Sequence, residues 1–137
     1  MRNIPFLHSI GALGKNCQMA HAVDLEDEEI LLVQKTGAMV VHNPVANMYL
    51  ASGVAPVPRY RELGIPVALG TDGPGSNNNQ DMIEVLKTTS LLHRIHTKDA
   101  AVIPPKDIIR MATHEGSQVV LNRNDVGMLK AGFRGDM

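Results

Sequence analysis

GIPVALGTDGPGSNNNQ, Gly64 to Gln80, holds a short apolar run that stops on Gly70 and passes at once into Thr71, Asp72 and a polar, glycine-rich bend. A run of that length bounded by turn residues reads as a buried strand. Two earlier stretches repeat the event. CQMAHAV (Cys17–Val23) carries His21 near its end, and AMVVHNP (Ala38–Pro44) ends on His42 and Asn43, with Pro44 barring further ladder pairing.

Each run leads into a helical pattern. In DLEDEEILLVQKTG (Asp24–Gly37), Asp24 is the candidate cap, Glu26–Glu29 meet the positive end of the helix, and Gly37 stops it. VANMYLASGVAPVPRYRELG (Val45–Gly64) reads as loop and then a short helix starting near Pro56 or Pro58. QDMIEVLKTTSLLHRIH (Gln80–His96) reads as a longer helix, one of Ser76–Asn79 capping it and Met82, Ile83, Leu86, Ser90 and His93 forming its inward face. PKDIIRMATHEGSQVVL (Pro105–Leu121) reads as a helix broken at Gly116, and the tail from Asn122 as turns with a short strand near Val126.

The order β-α-β-α-β-α-α predicts an α/β fold, because parallel strands need helical crossovers and cover on both faces. Whether the sheet is closed into a barrel or open is not decided by three strands. In either case ligands bind at the carboxyl ends of the strands. His21, His42 and Asp72 are expected at that rim.

With 137 residues, 44% hydrophobic and a net charge of −1, the composition is that of one globular domain without the basic field that nucleic acid requires. One cysteine points to a reduced, cytoplasmic setting, and no apolar run is long enough for a membrane span. GTDGPGSN contains no Lys or Arg to meet phosphate charge.

The polar residues keep two readings each. A carboxylate at Asp72 can hold a divalent cation and take a proton from its bound water, or merely cap the bend. His21 can serve as acid, base or polarising group, or be a satisfied half-buried histidine. Ser76, Asn77, Asn78 and Asn79 can bind a polar ligand, brace Asp72 or cap the next helix. His42 is read as structural. His93 and His96 have a spacing that could share a metal, but nothing acidic or thiol-bearing joins them, so His93 is read as interfacial and His96 as a helix-end residue.

Three stretches, MAHAVDLEDEEILLV, GAMVVHNPVANMYLASGVAPV and LGIPVALGTDGPGSNNNQDMIEVLKTTSLLHR, together resemble the C-terminal part of a metal-dependent amidohydrolase barrel. The similar branch contains S-adenosylhomocysteine and methylthioadenosine deaminases and triazine hydrolases. MATxxG (Met111–Gly116) and VGxLxxGxxxD (Val126–Asp136) extend the resemblance. It implies a partial (β/α)8 TIM barrel, strands six to eight with their helices. Residues 1–121 would be barrel, and 122–137 the start of the return to an accessory β-domain.

By that resemblance His21 is the sixth-strand histidine that contacts and polarises the substrate, and Asp72 the eighth-strand aspartate, a zinc ligand and proton shuttle. Ser76 and Asn77 match the polar turn behind it, as substrate-binding residues. His42 and Asn43 belong to a mainly architectural His-Asn-Pro turn. The implied activity of a full-length parent is hydrolytic deamination, by zinc-activated water, of a small purine-like substrate such as methylthioadenosine or S-adenosylhomocysteine. A triazine or guanine aminohydrolase, or a chlorohydrolase, is the alternative parent.

The family's first-strand His-x-His pair, fifth-strand histidine and nearby carboxylate have no counterpart here. Of four metal ligands only Asp72 remains, too few for zinc. The isolated chain is therefore expected to be inactive and to retain zinc poorly. The structural alternative is a catalytically dead partial barrel that forms homo-oligomers to cover its open sheet edges.

Overall fold

The computed structural model describes residues 2–135. Three short strands, β1 (Gln18–Ala20), β2 (Met39–His42) and β3 (Val67–Leu69), pair in parallel and lie side by side in chain order. Ala20 stands opposite Val41, and Val41 opposite Ala68. Within these three strands the order shows no reversal of the kind that marks the switch point of a doubly wound sheet, and it is compatible with consecutive staves of a barrel.

The helices are α1 (Asn3–Ser9), α2 (Asp27–Thr36), α3 (Pro44–Tyr49), α4 (Val57–Glu62), α5 (Pro74–Asn77), α6 (Met82–Thr97), α7 (Pro105–Ala112) and α8 (His114–Leu121). Helices α4, α7 and α8 pack on β3, which is buried at every position, whereas β1 leaves Gln18 and Ala20 exposed. The core runs from Val33 and Val40 through Val57, Tyr60 and Val67 to Val85 and Met111.

Several helix ends differ from expectation. Glu26, not Asp24, is the N-cap of α2, in a reciprocal capping box with Glu29. Arg2 decides this: its Nε donates to the buried Glu29 at 2.9 Å while Asp24 and Glu26 flank the same guanidinium at 3.4 and 3.3 Å. The cap of α6 is Asp81, whose Oδ1 accepts from Ile83 N and Glu84 N at 2.8 and 3.3 Å, and not one of Ser76–Asn79. The buried seam of α6 is Val85, Thr89 and His93, with Ile83 facing solvent; Thr89 is tolerated inside because its hydroxyl donates to Val85 O at 2.7 Å. Helices α7 and α8 part at Thr113 (φ −123, ψ −102), leaving Gly116 inside α8.

Three helices were unforeseen, one of them the four-residue α5 inside the polar bend after β3. Helix α1 occupies the apolar lead, and α3 begins directly after the second strand with Pro44 at its N-terminus. A proline there costs no intrahelical hydrogen bond, so the residue that ends the strand also starts the helix.

Among the described residues 122–135 no strand forms around Val126. The tail instead docks on α8: Val126 is buried, its carbonyl 3.1 Å from His114 Nδ1. Gly127 makes this approach possible, since at φ +78 a Cβ would stand 2.6 Å from His114 N and 2.7 Å from the Thr113 carbonyl carbon. Gly127→Ala is expected to lower stability by about 1–3 kcal/mol, read as a lower denaturation midpoint. Gly132→Ala, whose Cβ meets open space, should cost less. Asp136, the last residue of the VGxLxxGxxxD pattern, lies outside the described residues.

Candidate functional site

His21 follows β1 immediately and still belongs to the sheet through its N–H, which donates to Val41 O at 2.9 Å. Its backbone then leaves the strand region: His21 has φ 69 and Ala22 φ 46. Asp72, just beyond β3, has φ 62. Non-glycine residues in the left-handed region cost about 1–3 kcal/mol each and persist only where the surroundings hold them. Here Tyr60 does part of the holding. Its buried hydroxyl, whose acidity burial suppresses, donates to Ala22 O at 2.5 Å.

The other strained residue is braced from its own loop. Gly73 N–H donates to Asp72 Oδ1 at 2.8 Å, and Asn77 Nδ2 donates to Thr71 O at 2.7 Å. The Gly73 N–H, then the nearby Ser76 hydroxyl and the His21 ring, hold the Asp72 carboxyl below its ordinary range, so it is ionised at neutral pH.

His21 and Asp72 thus meet at one rim, Nε2 to Oδ2 3.7 Å, both part-exposed. They come from the first and third strands, with β2 between them, rather than from neighbouring strands. The end of β3 also abuts the His-Asn-Pro turn, where a Cβ on Gly70 would fall 2.5 Å from Asn43 Oδ1. Only glycine fits that contact.

The remaining candidates separate. Ser76 is half-buried and its hydroxyl donates to Gly73 O at 3.0 Å. Asn77 is buried, a strut for the loop, with its Oδ1 unpartnered. Asn78 bonds the Tyr49 hydroxyl, and Asn79 supports the start of α6 through Asp81 N at 2.8 Å and Glu84 at 2.6 Å.

His42 is not at the rim. It is fully buried against α6, its Nε2 3.3 Å from that of His93. Burial, aided by the neighbouring rings of His93 and His21, pushes the His42 imidazole down to about 3; burial pushes His93 down to about 4, with His96 adding to it. Both rings are therefore neutral, and the structural reading of His42 matches its place. His96, by contrast, is exposed, which separates it from His93.

One residue that the sequence did not single out joins the site. Asn47 of α3 is buried, with its Oδ1 2.7 Å from His21 Nδ1. The available signal was Pro44 as a helix start, which places residue 47 one turn along, back at the rim.

The donor set does not complete a zinc site. Tetrahedral zinc requires three or four protein ligands. The rim offers one carboxylate and one imidazole, and the described residues contain no group of three or more His, Cys, Asp or Glu side chains placed to hold a metal.

A model of the amidohydrolase family matches residues 3–137. The chain belongs to the amidohydrolase family. The chain is 44% identical over 135 residues to a 5-methylthioadenosine/S-adenosylhomocysteine deaminase from Syntrophomonas wolfei, covering 98% of the chain and 31% of that protein. It is 41% identical over 136 residues to a 5'-deoxyadenosine deaminase from Methanopyrus kandleri, covering 99% of the chain and again 31% of the relative. Among solved structures, an adenosine deaminase from Xanthomonas campestris with bound zinc superimposes with a TM-score of 0.94 at 29% identity, over 99% of this chain and 31% of that one. This amidohydrolase chain therefore spans about a third of the length of the relatives it matches, and its parallel sheet matches part of their barrel. Among its described residues no helix is long and apolar enough to cross a membrane.

Proposed function

We propose that this chain is the sixth-to-eighth-strand portion of an aminohydrolase barrel whose complete polypeptide deaminates a 5'-substituted adenosine hydrolytically in the cytoplasm. Residues 122–137 then lead back toward an accessory β-domain. The observation that carries this reading is the 3.7 Å approach of His21 Nε2 and the ionised Asp72 carboxylate at one strained rim. The substrate class is drawn from the relatives, named for methylthioadenosine, S-adenosylhomocysteine and 5'-deoxyadenosine, which share adenine and differ at the 5' position.

In the reaction, water adds to the amino-bearing carbon of the purine and ammonia leaves. Asp72 has the charge and the exposure to take the proton of the attacking water and pass it to the departing nitrogen. His21 steadies the oxygen or ring nitrogen on which charge develops. Ser76, half-buried beside Asp72, contributes a hydroxyl to the substrate, and Asn77 fixes the loop that presents both. Zinc, when held by a complete ligand set, makes a bound water acidic enough to react near neutral pH. This chain would contribute Asp72 to that set.

Alone, the chain is expected to release no ammonia, to hold no stoichiometric zinc and to self-associate through its open sheet edges. The test joins residues 3–137 to the preceding two-thirds of the Syntrophomonas wolfei relative. Ammonia release from methylthioadenosine by the chimera, but not by the 137-residue chain, is the expected result. A folded, zinc-loaded chimera without turnover on any of the three nucleosides would refute the reading.

A further inference from the structure

Helix α3, which begins at the end of the middle strand, touches both halves of the rim. One turn in, Asn47 stands 2.7 Å from His21 Nδ1; at the last residue, the Tyr49 hydroxyl accepts from Asn78 Nδ2. Asn78 closes α5, the single turn that carries Ser76 and starts two residues after Asp72. The 2.7 Å bond from Asn77 Nδ2 to Thr71 O ties the end of that turn back to the residue before Asp72. At about 1.5 Å per helical residue, Asn78 is then within roughly 10 Å of Asp72, a span comparable to one nucleoside.

The bond to Asn78 uses only the hydroxyl of Tyr49. The residue is still 61% exposed, and its neighbours Met48 and Leu50 are exposed as well. The end of α3 therefore sets an apolar lip at the mouth, with no charge among its three side chains. An exposed hydrogen bond alone contributes little toward fixing so large a side chain, and a ligand packed against the ring adds apolar burial to it.

The relatives' nucleosides differ at the 5' position, which carries hydrogen in 5'-deoxyadenosine and a methylthio group in methylthioadenosine. With the amino-bearing carbon at the Asp72 carboxylate, the 5' substituent is at the other end of the ligand. A thioether sulfur packs favourably against an aromatic ring, and its methyl group gains from burial there.

We infer that Tyr49 is a specificity-determining residue whose ring, steadied by Asn78, receives the apolar 5' substituent and favours a thioether over hydrogen. The inference rests on the proposed function for the substrate and on the placement of α3 for the residue. The loop after β2 thus takes the end of the ligand that the loops after β1 and β3, with His21 and Asp72, leave free.

The test compares methylthioadenosine with 5'-deoxyadenosine on the zinc-loaded chimera, as the ratio of kcat/KM values and as the ratio of equilibrium dissociation constants. Tyr49→Ala is expected to lower the preference for methylthioadenosine about tenfold, through a higher KM with kcat little changed. Tyr49→Phe keeps the ring and loses the tether, and should hold the preference within about threefold. Tyr49→Leu stands in should Tyr49→Ala not fold, and must also reduce the preference. Equal losses on both nucleosides, an unaltered ratio in Tyr49→Ala, or a loss in Tyr49→Phe as large as in Tyr49→Ala overturns the inference. A chimera that binds the nucleosides without turnover overturns the proposed function, and the ratio of dissociation constants then still decides the role of Tyr49. A chimera that binds neither overturns both.

Discussion

Asp72→Asn in the complete enzyme is expected to reduce kcat/KM for ammonia release by at least about a thousandfold and to weaken zinc retention. Asparagine is the cleaner substitution because residue 72 sits at φ 62, a region that asparagine tolerates and alanine resists. The amide keeps the shape of the carboxylate and an acceptor for the Gly73 N–H but removes the charge and the proton-accepting capacity. Asp72→Ala should lose as much activity and also some stability from the backbone. Asn79→Ala is the control in the same loop. It deletes the contacts to Asp81 N and Glu84 at the start of α6, costing about 1 kcal/mol of stability, and should leave kcat/KM within a few-fold. Steady-state ammonia release with metal analysis separates these outcomes. Equal losses at 72 and 79 would place the reacting carboxylate elsewhere.

The rim was legible in the sequence because its signals are local. Three apolar runs punctuated by Gly, Pro, His and Asp define the strands, and strands of that kind present their carboxyl ends together. What escaped were features set by distant partners. Asp24 has the better intrinsic capping chemistry, yet Arg2, 22 residues away, draws it into an ion cluster and leaves the cap to Glu26. His42 and Asn43 have the same local credentials for the rim as His21. Only α6, arriving 51 residues later with His93, turns the His42 imidazole inward. Asn47 escaped for a local reason: Pro44 reads first as the end of a strand, and its second role as the opening residue of α3 was passed over.

Mild acid is expected to unfold this chain through the His42–His93 pair. Both imidazoles are fully buried and titrate at about 3 and about 4 in the folded state, against 6.5 ordinarily. The unfolded chain therefore binds more protons than the folded one as soon as pH drops through 6.5. The stabilisation is complete above about pH 7 and is lost progressively down to about pH 4. Each unit of pH in that window costs about 1.4 kcal/mol per histidine, so by about pH 5 the two together remove about 4 kcal/mol. That approaches the whole stability of many domains, about 5–15 kcal/mol. The folded state cannot escape by charging both rings, because two imidazolium groups at the observed 3.3 Å would repel inside the core. Urea midpoints between pH 7 and 5 read the slope. Replacing one partner, His93→Leu, leaves His42 without its Nε2 neighbour and lowers stability at pH 7, yet should halve the dependence on pH, since one buried imidazole then titrates in place of two. A slope that survives the substitution intact would assign the acid sensitivity to groups other than this pair.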